Sequence, residues 1–229
     1  MSRFILVLTV AVNFGTALPG MCRDKGDHLA RLNTKEFRRY RQILGSHLAA
    51  TPFDCGRVMV RPAFEPEYSI SIYNSSGSAE RTAYRITYLS AKESIWGLTN
   101  GGNDLTEAKA IKVRRVDADI PQSVAELLKD VSTKMLRRAR GQTPPPVGEW
   151  QTLPIDTTDV EWALELPHGG ALSGQLNKYF PIGPNTQSFL ALTTETLLQY
   201  CKANPKERDA IARRIETSAR KLLAAVGQD

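Results

Sequence analysis

The chain has 229 residues, of which 41% are hydrophobic and 24% charged, with a formal net charge of +6. That balance excludes wholesale disorder and a polytopic membrane protein, and the length suits one domain that buries roughly 70% of the surface its unfolded form exposes. A basic excess invites a nucleic-acid reading, but the Lys and Arg residues are spread over several segments and aromatics amount to 7%, without the concentrated charge and stacking platform that such binders use. Nucleic acid is therefore not an expected partner.

Arg3 is followed by the apolar run Phe4 to Val12, then by Asn13 and the small residues Gly15, Thr16 and Ala17. This is the layout of a secretory signal peptide over residues 1–17, too short for a membrane span of about 20 residues. It predicts export to the periplasm or the extracellular space, with only transient membrane contact. Residues 18–32 are polar and irregular. Cys22 lies among them, but Met21 stands where lipidation wants a small residue.

The span 33–229 is expected to form one α+β domain. Asn33-Thr34-Lys35-Glu36 has the order of a helix cap, and the helix it opens is predicted to run to about Ala49. At 100° per residue, Phe37, Tyr40, Leu44, His47 and Leu48 share one side, and Arg31, Lys35, Arg38, Arg39 and Gln42 the other.

From Asp54 to Leu89 the pattern changes to period two, the signature of strands. Val58 and Val60 share a face between Arg57 and Arg61, and Pro62, lacking an N–H, ends the pairing. Tyr68, Ile70 and Ile72 alternate with Ser69 and Ser71, which places the serines on a solvent face. Tyr84, Ile86 and Tyr88 alternate likewise with Arg85 and Thr87. Asn74-Ser75-Ser76-Gly77-Ser78 supplies a turn between them. An antiparallel meander of three strands is the outcome.

Beyond it, Ser94 to Gly97 is expected to continue the sheet, and Asn100 to Asp104 to turn. A strand over Ala108 to Val116 would carry Lys109, Lys112, Arg114 and Arg115, a positive edge that repels other edges. Asp119 is expected to cap a helix with Pro121 in its first turn, running to about Arg140. Ile120, Val124, Leu127, Leu128, Val131 and Met135 would form its buried stripe.

Consecutive prolines make residues 141–148 a stiff connector. Asp159 to Leu166 resumes strand alternation through Val160, Trp162 and Leu164. Two helices close the chain, one capped by Asn185-Thr186 and one by Asn204-Pro205-Lys206-Glu207. The architecture predicted is α+β: an antiparallel sheet of about five strands with about four packed helices.

Candidate chemistry is sparse. Pro167 to Gly174 carries His168, Ser173 and several glycines, the one stretch with the look of an active-site loop. A serine nucleophile needs a base within hydrogen-bond reach, and its elbow usually reads Gly-x-Ser-x-Gly; here Ala171 stands two before Ser173. The three cysteines could form one disulfide in an oxidising compartment. Cys55, at the entry to the first strand, and Cys201, late in a helix, are the expected pair. No Cys-x-x-Cys or His-rich spacing suggests a metal, and no cofactor is expected. The function expected is that of an exported, non-enzymatic protein that binds another protein. The alternative is an exported hydrolase built around His168 and Ser173.

Overall fold

The computed structural model describes residues 38–49, 51–62, 65–75, 83–100, 104, 106, 110–139, 158–177 and 186–226, the side chains of 176–177, 186–189 and 225–226 aside. The signal-like start, Cys22, the Asn33 to Glu36 cap and the connector at 141–148 lie outside these residues. Eleven elements follow in order: α1 (Arg38–Leu48), β1 (Gly56–Arg61), β2 (Tyr68–Asn74), β3 (Tyr84–Ala91), α2 (Ile95–Leu98), β4 (Val113–Ile120), α3 (Gln122–Arg137), β5 (Asp159–Glu165), β6 (Ala171–Asn177), α4 (Thr186–Lys202) and α5 (Arg208–Val226). The strands form one antiparallel sheet in the order β4-β3-β2-β1-β5-β6, so the fold is α+β.

The three-strand meander lies at the centre, with Val58 opposite Ile70 and Ile70 opposite Tyr88. β5 adds to the free side of β1, Trp162 opposite Val58. That joins distant parts of the chain and makes β1 an interior strand. One face gathers Val58, Val60, Ile70, Ile72, Ile86, Val160, Trp162 and Leu164 with α3, α4 and α5 into the larger core. α3 lies over β1, β5 and β6, α4 lies over β3 and β4, and α5 packs against both helices. Val124, Leu128, Val131 and Met135 are buried on α3 as its spacing requires, and Ala125, Ser132 and Leu136 join them.

The other face is covered as well. Tyr40, Ile43, Leu44 and Leu48 of α1 pack with Leu89, Ala91 and Ile95 into a second, smaller core. Arg38, Arg39 and Gln42 are exposed on the far side of α1, while His47 is only half-buried. This cover changes the meander. Ser69, Ser71 and Thr87, expected in solvent, are each 0% exposed, because alternation decides which face a side chain takes and not whether that face is wet.

Other expectations need correction. Ser94 to Gly97 forms no strand: Ser94 caps the single turn α2, its Oγ accepting from the N–H of Gly97 at 3.2 Å. The strand expected over 108–116 runs instead from Val113 to Ile120, in register with all of β3 from Ala91 back to Tyr84. Asp119 is thus a strand residue, and Pro121 stands at the N-cap of α3 with no side-chain cap hydrogen bond. The stretch expected as a loop after Leu166 contains β6, which makes the sheet six-stranded. Among the described residues no helix is long and apolar enough to cross a membrane.

Candidate functional site

His168 and Ser173 belong to the β5–β6 hairpin. Its turn closes with the N–H of Gly169 donating to Leu166 (3.0 Å) and that of Leu166 to Gly170 (3.1 Å). Gly169 and Gly170 have φ of +87° and +82°, conformations glycine adopts without a Cβ penalty. His168 is exposed at the tip, and Ser173 is half-buried on β6 opposite Ala163. The register puts Ser173 on the same face as Arg57, which is itself opposite Ala163, two strand spacings or about 10 Å away. His168 and Ser173 are not joined by a hydrogen bond.

That face carries a polar row that sequence reading missed. Register aligns Asp117, Thr87, Ser71, Arg57, Ala163 and Ser173 across the six strands. Thr87 Oγ1 donates to Asp117 Oδ1 at 2.5 Å, and Arg115 donates to the same carboxylate through Nε (2.8 Å) and Nη2 (3.0 Å). Arg57 donates from Nε to Ser71 Oγ (3.2 Å) and from Nη2 to the carbonyls of Ala49 (3.1 Å) and Thr51 (2.6 Å), with its guanidinium 3.8 Å from the centre of the Phe53 ring. Burial pulls the Arg57 guanidinium down to about 10, which leaves it charged at neutral pH. Asp117 is held below the usual carboxylate range, first by the hydrogen bonds from Arg115 and further by Thr87.

A second cluster ties α1, β2 and α2 together. Glu67 is 1% exposed. Its carboxylate accepts from Tyr40 Oη (2.7 Å) and from the backbone N–H groups of Ile95 (2.6 Å) and Trp96 (2.8 Å). Three donors converge on the anion, which is how a buried carboxylate is made tolerable. Tyr40 is raised above the usual phenol value by burial and then by Glu67. Its ring meets Trp96 edge-on, centroids 5.0 Å apart, while Trp96 stays 42% exposed.

The expected disulfide is not formed. Cys55 and Cys201 are both buried free thiols, and burial pushes each up to about 12. Cys55 sits at the entry to β1 within the field of Lys129 and Glu126 on α3, and Cys201 lies on α4 near Arg208 and Lys202. The two share the larger core, Cys55 just before β1 and Cys201 on α4.

Among the described residues, His, Cys, Asp and Glu form no group of three or more suited to a metal. An open groove of about 330 Å³ lies between α3 and α5, lined by Pro121, Ser123, Asp209, Arg213 and Glu216 among others. No family model matches the chain, and no curated protein or solved structure matches it. Function has to be argued from the residues themselves.

Proposed function

We propose that the protein is exported and acts by binding another protein. The observation that carries the binding half is Trp96. Its backbone is fixed by a buried carboxylate, its ring is steadied by Tyr40, and much of the indole faces outward. Tryptophan held rigid in this way loses little entropy on association, which is why it recurs among the residues that dominate binding energy. The polar groups on this face of the sheet favour the same reading. Arg57 and Glu67 spend their hydrogen bonds on the protein's own backbone and side chains, as groups that shape a scaffold do. Export is supported by the basic, apolar and small-residue order of positions 3 to 17.

A photo-crosslinking amino acid at position 96, compared with one at exposed position 214 in the native host, tests the binding half. One discrete protein adduct from position 96 is expected, with Trp96→Ala weakening the complex more than tenfold while circular dichroism stays unchanged. Equal adducts from both positions would sink it. N-terminal sequencing of the mature chain should begin near Leu18 if export holds.

A hydrolase remains the second reading, favoured by the glycine turn that lifts His168 clear of the sheet five residues before Ser173. Fluorophosphonate labelling that disappears in Ser173→Ala would put it first.

A further inference from the structure

β4 is an edge strand: among the described residues nothing pairs with its outer side. Which of its backbone groups point outward follows from antiparallel alternation. The N–H of Lys92 donates to the carbonyl of Lys112 (2.9 Å), continuing the register in which Ala91 faces Val113. Arg114, Val116, Ala118 and Ile120 therefore turn their N–H and C=O toward β3, and Val113, Arg115, Asp117 and Asp119 turn theirs away. The carbonyl of Asp119 accepts from Tyr200 Oη at 2.7 Å, as an outward group near α4 can.

The position of this strand also decides its charge. Over 108–116 it would be uniformly basic and would repel its own copy. Over Val113–Ile120 it is basic in the first half, at Arg114 and Arg115, and acidic in the second, at Asp117 and Asp119. An antiparallel two-fold lays the first half of one copy against the second half of the other. Such an edge is complementary to itself.

We propose that β4 pairs with β4 of a second copy about a two-fold axis through Val116, joining the two sheets edge to edge. In this register each Arg115 lies opposite Asp117 of the partner copy, so their outward groups exchange four backbone hydrogen bonds. Arg115 and Asp117 side chains stand on one face with 52% and 32% exposure, close enough across the pair to attract. On the other face Val116 meets its own copy and Arg114 meets Ala118. Competing registers are worse. Centred on Asp117, two carboxylates oppose each other. Centred on Arg115, two guanidiniums oppose each other. A shift by one residue would turn each strand's faces over.

Sedimentation velocity of the full chain across a wide concentration range tests this. The expected result is a reversible monomer–dimer equilibrium that weakens with salt, as exposed ion pairs do. Arg115→Asp, which sets two aspartates opposite each partner's, should raise the dissociation constant by about tenfold or more. Arg115→Asp combined with Asp117→Arg reverses both signs and should restore it to within about threefold. Arg115→Pro should weaken the dimer most, because it deletes an outward N–H while proline is tolerated on an edge. Circular dichroism of each variant checks that the fold is intact. A chain that is monomeric at every concentration overturns the proposal. So does a dimer indifferent to Arg115→Asp, a charge swap that fails to restore pairing, or growth beyond the dimer.

Discussion

Both faces of the sheet are covered over its central strands, yet they are built from opposite materials. Beneath α3, α4 and α5 the strands contribute Val58, Ile70, Ile86 and Trp162, and cohesion there is the non-directional removal of apolar area from water. Beneath α1 and the segment that follows it, the same strands contribute Arg57, Ser69, Ser71 and Thr87 along with Met59 and Leu89. Cohesion there needs directed partners. Ser69 Oγ donates to the carbonyl of Leu48, Ser71 accepts from Arg57, and Thr87 donates to Asp117. An apolar face tolerates repacking of similar volume, whereas a buried polar face is stable only while each group keeps its partner. The difference teaches that α1 acts as a lid whose position is specified by hydrogen bonds.

The contrast can be broken most forcefully at Trp162, which is 1% exposed and whose Nε1 donates to Thr194 Oγ1 at 3.3 Å. Trp162→Ala should cost about 3–5 kcal/mol in urea unfolding, and a loss under about 1 kcal/mol would mean the larger core does not carry the fold. On the polar side, Glu67→Ala strands two buried donors and one partly buried donor and should cost roughly 3 kcal/mol. Because two of those donors open α2, Trp96 fluorescence should change at denaturant concentrations below the global transition. Coincident transitions would show that α2 is not a local unit.

A finer comparison comes from Thr87→Val, which keeps the shape and deletes the hydroxyl. The loss expected is about 1 kcal/mol, measured by the same unfolding curves, and a neutral result would make the Thr87–Asp117 bond incidental. The smallest effect is one of pH. The folded value of Asp117 lies below the roughly 3.9 of an unfolded aspartate. Its contribution to stability is therefore present above about pH 4 and is lost as pH falls through the folded value. The gap in unfolding midpoint between the native chain and Asp117→Asn should be constant near neutrality and shrink on acidification. A gap independent of pH would show that the Arg115 contact does not act through charge.

Legibility followed the range of the interactions. β1, β2, β3 and β5 were readable because Val58/Val60, Ile70/Ile72, Ile86/Tyr88 and Trp162/Leu164 each alternate within one strand. The displacement of β4 has a simple cause. Residues 108–116 mix Ile and Val with Lys and Arg without a clean period, and Asp119 before Pro121 resembles a helix cap. The eight residues of β3, however, need partners as far as Ile120 opposite Tyr84. The sequence around Ser94 reads as strand because Glu67, the carboxylate that anchors the turn, lies 28 residues away from Ile95. For the candidate site, the glycines that follow His168 announce a loop. Nothing local announced the row through Arg57, Ser71 and Thr87, since it exists only once β1, β2 and β3 are in register.

By itself the sequence determined the class of fold, the faces of β1, β2, β3 and β5, the helical stripes on α1 and α3, and the expectation of export. These rest on period, capping order and composition, which are properties of neighbouring residues. Only the tertiary structure decided that the serine face is buried, that Cys55 and Cys201 stay unpaired, and that Glu67 holds α2. It also decided that the outer strand is charge-balanced instead of basic. Each of these depends on which distant segment arrives opposite a given residue, and that is chosen by the pairing of whole strands and the packing of whole helices.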